Sequence, residues 1–142
     1  MAEFSNVATQ TVAVNGNVLF TDAPTSVCNK GYISHRTGSG LINLKGATNT
    51  CKAKYRVEFN GNIAVSTGGT AGAISLAIAV DGEPLQSTRM IVTPAAVQNL
   101  QNISSQVYID VPCGCCSTVA VQNTSTQAIE VQNSNLIVTR QA

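Results

Sequence analysis

The sequence YRVEFNGNIAV, residues 55–65, places apolar residues or glycine at its odd positions and mostly polar residues at its even positions. Successive side chains of a β-strand point to opposite faces of a sheet, so this alternation predicts one long, half-buried strand. Asn60-Gly61 lies within it and would ordinarily indicate a hairpin. A two-residue turn would move the second apolar set to the other face, so we predict a continuous strand bent at the glycine.

Apolar parity also argues against a hairpin at the dipeptide Asn15-Gly16. Apolar residues keep one parity on both sides of it, from Val12 to Phe20. A hairpin would separate them onto two faces, whereas a strand bent at Gly16 keeps them together. We therefore predict a second continuous strand over residues 11–20.

Asp81-Gly82 is the third such dipeptide, and here we predict a true hairpin. It joins an apolar run, residues 74–80, to a second strand-like run, residues 85–93. The first run is apolar on both faces. Such a strand is either covered on both sides within one chain or in contact with another subunit through one face.

The rest of the chain shows the same pattern of short strand-like runs separated by turn residues. No helical period persists for three turns, and strand-length runs recur between turn signals, which is typical of an all-β sandwich or barrel. We expect about eight to ten antiparallel strands in one domain, residues 11–142, preceded by a short arm, residues 1–10. The further strands are expected near residues 32–33, 41–44, 105–111, 118–123, 128–131 and 135–140.

Composition argues against several classes of partner. The 142 residues carry 8 basic and 7 acidic side chains, a net charge of +1 that does not attract nucleic acid or an anionic membrane. Aromatic residues make up 4% and tryptophan is absent, which leaves few rings for stacking bases or sugars. No apolar run approaches the roughly 20 residues of a membrane span, and no signal peptide is visible. We expect synthesis in a cytoplasm.

The inventory of chemically active side chains is small, so we expect no enzyme activity and no cofactor. His35 is the single histidine, which argues against metal sites that need two histidines. A catalytic Ser-His-Asp or Cys-His arrangement would have to be built around His35 alone. The glycine-rich stretches 37–40 and 67–72 lack a phosphate-binding lysine and are interpreted as loops. The glycosylation motifs at Asn102 and Asn123 are interpreted as chance matches, since no secretory signal precedes them.

The five cysteines are the one local peculiarity. Three of them, Cys113, Cys115 and Cys116, lie between two expected strands and predict a tight turn at the tip of the sandwich. They are candidate zinc ligands, and a metal-dependent enzyme at this turn is the remaining catalytic alternative. The paired spacing of common zinc motifs is absent, so a structural turn with mostly free thiols is the preferred interpretation. Cys28 with Cys51 is a candidate disulfide after oxidation.

The order of these elements resembles the compact jelly roll of the tumour necrosis factor (TNF) and complement globular-head family. The resemblance rests on a first strand at 11–20, a long central strand at 53–59, an aliphatic hairpin at 73–92, and closing strands at 119–123 and 135–139. It is closest to the form found in bacterial and bacteriophage surface proteins. The stretch VPCGCCSTV, residues 111–119, is similar to proteins of gut Firmicutes and their phages.

The resemblance implies a homotrimer in which one face of each sandwich is buried against its neighbours. It also implies a virion structural protein, a capsid decoration or head-fibre protein that contacts the major capsid protein or another virion component. The location would be the virion surface, after assembly in the bacterial host cytoplasm, with residues 1–10 as an anchor. The candidate trimer-interface residues are the alternating aliphatic side chains Ile74, Leu76, Ile78 and Val80.

Two other functions remain open. One is a receptor- or glycan-binding tip, with a host surface glycan as the candidate partner, that would use loops 31–40 and 68–72 and the cysteine turn. The other is the head domain of a spore- or cell-surface collagen-like protein. No Gly-X-Y repeat precedes the domain in this sequence, which favours the phage interpretation over the spore coat.

Overall fold

A computed structural model describes residues 2–25, 32–36, 38–46, 51–114 and 116–141. This part of the chain is all-β, with one short 3₁₀ turn at Gln86–Thr88. The strands are β1 Ala2–Asn6, β2 Gln10–Val12, β3 Asp22–Thr25, β4 Ile33–His35, β5 Ile42–Lys45, β6 Lys52–Val65, β7 Ile74–Val80, β8 Glu83–Pro84, β9 Met90–Val92, β10 Gln101–Pro112, β11 Cys116–Asn123 and β12 Ile129–Arg140.

Two antiparallel sheets pack face to face as a sandwich. The long sheet has the order β10-β6-β12-β1-β3, with β2 also paired to β12. The short sheet has the order β4-β5-β11-β7-β8, with β9 also paired to β7. Because neighbours in each sheet are distant in sequence, the chain passes repeatedly from one sheet to the other. This alternation is characteristic of a jelly roll.

The predicted long strand at residues 55–65 is confirmed. It lies within β6, and Gly61 sits in the ladder opposite Ile103 of β10. On its other side the partner strand β12 bulges between Gln132 and Asn135. A bulge bends a strand and increases its twist, so β6 follows a curved sheet across Asn60-Gly61 without turning back.

The predicted strand at residues 11–20 is wrong. Strand β2 ends at Val12, and a turn follows in which Gly16 N–H donates to Ala13 O at 2.8 Å. Val12 lies opposite Ile129 in the long sheet, whereas Val18 N–H bonds to a carbonyl of the short sheet. The segment therefore crosses between the sheets. Its buried apolar residues, among them Val12 and Val18, are still all at even positions, because the inner faces of both sheets border the same core.

The predicted hairpin at Asp81-Gly82 is confirmed. Val80 pairs with Glu83, and the two turn residues have φ values of 53° and 84°. Both angles lie in the left-handed region that a tight two-residue hairpin requires. The following run, residues 85–93, is not one strand, since β8 ends at Pro84 and the 3₁₀ turn separates it from β9.

The candidate trimer-interface residues lie in the core of a single chain. Ile74, Leu76 and Ile78 are 1%, 0% and 0% exposed and belong to the cluster between the sheets, and Val80 packs partly buried against it. The first three therefore present no side-chain surface to a second subunit. Strand β7 is the case in which both faces are covered within the chain, since Ala77 and Ala79 are also buried.

The first residues belong to the sandwich. Strand β1 pairs with β12 along its whole length, from Ala2 opposite Val138 to Asn6 opposite Ser134. Ala2 and Phe4 are buried. Residues 2–6 of the expected arm are thus a structural strand of the long sheet. No helix in the described ranges has the length and apolarity needed to cross a membrane.

Candidate functional site

A surface cavity lined by described residues lies at the end of the sandwich where β7 begins and β11 ends. It has a volume of about 290 Å³, and four of its lining residues carry hydroxyl groups, namely Ser75, Thr124, Ser125 and Thr126. Arg89 supplies a cation and Ile91 an apolar wall. We refer to it as the hydroxyl pocket. None of its described lining residues is acidic.

Ser75 organises the floor of the hydroxyl pocket. It interrupts the aliphatic run of β7, and its side chain points away from the core between Ile74 and Leu76. Its Oγ lies 2.6 Å from Thr124 Oγ1, and its backbone N–H donates to Ser125 Oγ at 2.7 Å. The hydroxyl cluster therefore joins β7 to the β11–β12 connection.

Arg89 makes the pocket electropositive. Its Nε donates to Ser75 Oγ at 3.2 Å, which holds the side chain over the hydroxyl cluster while it remains exposed to solvent. A guanidinium group presents five N–H donors, and one is used here. The remaining donors, together with the hydroxyls, suit a small polar or anionic ligand such as a sugar carboxylate.

Asn123 anchors the pocket from below. It is fully buried, and its Nδ2 donates to the backbone carbonyls of Val12, Ala13 and Gln127 at 3.1, 3.2 and 3.0 Å. Its Oδ1 accepts Ser125 N–H at 2.9 Å. One amide thus fixes the turn after β2 and the loop after β11. The glycosylation motif at this residue is inaccessible in the folded chain.

The loop at residues 67–72 lies beside the hydroxyl pocket. Thr70 N–H donates to Gln127 Oε1 at 3.0 Å, and Gln127 Nε2 donates back to Thr70 O at 2.8 Å. Of the three elements expected to form a binding tip, this loop is adjacent to the pocket. The cysteine turn lies at the other end of β7 and β11, and loop 31–40 falls partly outside the described residues.

The comparisons with known proteins identify the architecture. No protein-family model and no curated protein sequence matches the chain. Solved structures do match. The globular domain of zebrafish complement 1qA superposes with a TM-score of 0.62 at 11% identity, over 96% of this chain and 94% of that one. The fold is a jelly roll of the TNF and complement globular-head type.

Two further structures agree with this assignment. The Eiger TNF of S. frugiperda has a TM-score of 0.65 at 13% identity, covering 99% of this chain and 91% of that one. Murine APRIL has a TM-score of 0.60 at 8% identity, covering 95% and 97%. At these identities the likeness establishes the jelly-roll fold. Function has to be argued from the surface of this chain.

The cysteine turn of the jelly roll connects β10 to β11 and so joins the two sheets. Gly114 adopts a φ of 74°, as a tight turn requires. Cys51, Cys113 and Cys116 are exposed free thiols. Cys28 and Cys115 lie outside the described residues, so one of the three candidate zinc ligands and one partner of the candidate Cys28–Cys51 disulfide are not described. Within the described ranges no three His, Cys, Asp or Glu side chains are grouped to hold a metal ion.

His35 has structural partners. Its Nε2 donates to the backbone carbonyl of Ser39 at 2.7 Å, and its ring packs on Phe4 with centroids 4.7 Å apart. Phe4 belongs to the long sheet and His35 to the short one, so the contact ties the sheets together. No acidic side chain is among these described contacts of His35.

Tyr55 closes the core near the cysteine turn. It is fully buried, and its hydroxyl donates to Lys45 O at 2.5 Å. Burial raises the pKa of Tyr55 above its ordinary value of 10.0, although Arg140 and the hydrogen bond to Lys45 oppose the rise. The phenol therefore stays protonated at neutral pH and acts as a hydrogen-bond donor between β6 and β5.

Proposed function

We propose that this chain is a non-enzymatic structural protein that assembles as a homotrimer through the outer face of its long sheet. The proposal extends to a bacteriophage virion, where the trimer would decorate the capsid or form a head fibre bound to the major capsid protein. It rests on one observation above all. The outer face of the long sheet is broad, continuous and dominated by polar side chains that already bond to one another.

Side chains on this face form cross-strand pairs between β6 and β10. Arg56 donates to Gln106 Oε1 at 2.6 Å, and Asn102 Nδ2 donates to Asn62 Oδ1 at 3.0 Å. Tyr108 stands on the same face and is 63% exposed. Tyrosine is enriched in protein interfaces because it combines a large apolar ring with a hydrogen-bonding tip. Ordered amides around an exposed ring suit contact with another protein surface.

The face is large enough for a stable interface. Strands β10, β6 and β12 contain 12, 14 and 12 residues, which corresponds to a length of about 40 Å. With the 5, 3 and 4 residues of β1, β2 and β3 the sheet contains 50 residues, and at about 16 Å² per residue its face covers about 800 Å². A standard interface buries about 800 Å² on each partner. The net charge of +1 adds little repulsion between copies.

Light scattering after size exclusion tests the assembly. We expect the wild-type chain to have three times the mass of one chain at micromolar concentration. Tyr108→Arg places an unpaired charge on the proposed interface and should shift the mass towards one chain. Ile91→Arg is the matched control, because Ile91 is 59% exposed on the outer face of the short sheet and should leave the trimer intact.

A wild-type protein that stays monomeric would overturn the proposed trimer.

The virion location has a separate test, namely mass spectrometry of phage particles purified from the host that produces the chain. We expect the chain in stoichiometric amount with the capsid proteins. Its absence from the particles, with a trimer in solution, would favour the spore- or cell-surface head domain.

The hydroxyl pocket supports a second function, a receptor- or glycan-binding tip. Its hydroxyl cluster and the Arg89 guanidinium provide several donors around a cavity that suits one sugar unit. The scarcity of aromatic rings argues for a ligand bound mainly by hydrogen bonds and charge. A sugar that carries a carboxylate fits these groups best.

A glycan array that includes sialylated and uronic-acid glycans tests the second function. We expect binding of acidic glycans by the wild type and at least a tenfold loss in Arg89→Ala, since a charged hydrogen bond contributes about 1.5–3 kcal/mol. Arg36→Ala is the control, because Arg36 is exposed at the end of β4, away from the pocket. An array without hits would remove this function.

A further inference from the structure

Two cysteines distant in sequence lie opposite each other where the β6–β10 ladder ends. The ladder pairs Val111 with Ala53 and Pro112 with Lys52. One residue further along, Cys113 N–H donates to Cys51 O at 3.0 Å. The register thus continues beyond the two strands, and Cys51 and Cys113 form its next pair.

The geometry of such a pair suits a disulfide. Residues directly opposite in an antiparallel ladder project their side chains to the same face, and hydrogen-bonded pairs have Cα atoms about 5.5 Å apart. Disulfides usually span about 4.4–6.8 Å between Cα atoms. The backbone therefore already holds the two residues at the distance that a cross-link needs.

The pair is also accessible to reagents. Ala53 and Val111, two residues inward on each strand, are fully buried in the core. Cys51 and Cys113 share their parity but lie at the rim of the sandwich, where both are exposed with free thiols. Cys116 is less well placed, because it begins β11 and pairs with Lys45 in the short sheet.

We propose that Cys51 and Cys113 are a redox-active pair that forms a reversible cross-strand disulfide. The oxidant is a small-molecule disulfide such as oxidised glutathione. One cysteine thiolate attacks it, forms a mixed disulfide and releases one glutathione thiol. The second cysteine then attacks the mixed disulfide, so that the Cys51–Cys113 bond forms and the second glutathione leaves. Two protein thiols are oxidised, and one glutathione disulfide is reduced to two thiols.

The cross-link closes a loop that contains residues 52–112, which are the complete strands β6 to β10 with their connections. Closing a loop of this length restricts the unfolded chain strongly. We expect the oxidised protein to melt about 5–15 °C higher than the reduced protein. Because exposed disulfides are readily reduced, the change should reverse with dithiothreitol. The pair would thus stabilise the jelly roll once the protein leaves a reducing compartment.

Peptide mapping tests the pairing. The purified chain is incubated with oxidised glutathione, remaining thiols are alkylated, and trypsin is added. We expect a cross-link between peptides 46–52 and 90–140, whose trypsin sites follow from the sequence. Since peptide 90–140 contains three cysteines, variants identify the partner. The cross-link should disappear in Cys113→Ser and persist in Cys116→Ser and Cys115→Ser.

The melting temperature gives an independent readout. Oxidation should raise it in the wild type and in Cys116→Ser, and leave it unchanged in Cys51→Ser and Cys113→Ser. A cross-link that persists in Cys113→Ser, a bond from Cys51 to Cys28, or a disulfide between chains would overturn the proposal. So would five thiols that remain free after oxidation.

Discussion

Replacing Asn123 with alanine is expected to lower the free energy of unfolding by about 3–5 kcal/mol. The amide is fully buried and supplies the donor for three backbone carbonyls, those of Val12, Ala13 and Gln127. Alanine removes this donor from the three carbonyls and the acceptor from the N–H of Ser125, although Ala13 O keeps its bond from Gly16 N–H. Each buried polar group left unpaired costs about 1–3 kcal/mol, and water that enters the cavity offsets part of the sum.

Urea denaturation at fixed protein concentration measures this loss. Asn43→Ala is the matched control, since Asn43 is exposed on β5 of the short sheet, away from the proposed interface. We expect the control to change stability by less than about 0.5 kcal/mol. A loss below 1 kcal/mol in Asn123→Ala would show that the amide does not hold the two loops together. Asn123→Asp should also be severe, because a carboxylate has no N–H for the three carbonyls.

The contrast between Asn60-Gly61 and Asn15-Gly16 shows what apolar parity can predict. At Asn60-Gly61 the chain stays in one sheet, so continuous parity corresponds to a continuous strand. At Asn15-Gly16 the chain changes sheets, yet Val12 and Val18 are both buried because both sheets face the same core. Parity reports which side chains point inward. It does not report the sheet to which each one belongs.

The hydroxyl pocket could be predicted only in fragments. Ser75 was visible as a break in an apolar run, and Thr124 and Ser125 as part of a chance glycosylation motif. Their contact spans 49 or 50 residues of sequence and depends on the pairing of β7 with β11. The residue-by-residue pairing of β7 with β11 cannot be read from a single sequence. The same holds for Cys51 and Cys113, which become neighbours through the β6–β10 ladder.

Phe59→Ala is expected to destabilise the jelly roll by about 3–5 kcal/mol, by creating a cavity at the centre of β6. Phe59 is fully buried. Its ring lies over Gly61, where an added Cβ would stand 3.1 Å from Phe59 Cζ. Gly61 has no side chain to move into the vacated space, so collapse around the cavity is limited. The loss should therefore lie towards the upper part of that range, as measured by urea denaturation.

A double-mutant cycle with Gly61→Ala shows whether the ring and the glycine act as a unit. In the wild-type background the new methyl crowds the ring and also approaches Ser134 Cβ at 3.4 Å. In the Phe59→Ala background the ring is gone, and the same methyl fills part of the cavity. We expect Gly61→Ala to be more favourable in the second background by at least about 0.5 kcal/mol. Additive effects would mean that the ring does not occupy the space that Gly61 leaves open. In that case the curvature of β6 at this point would depend on the β12 bulge alone.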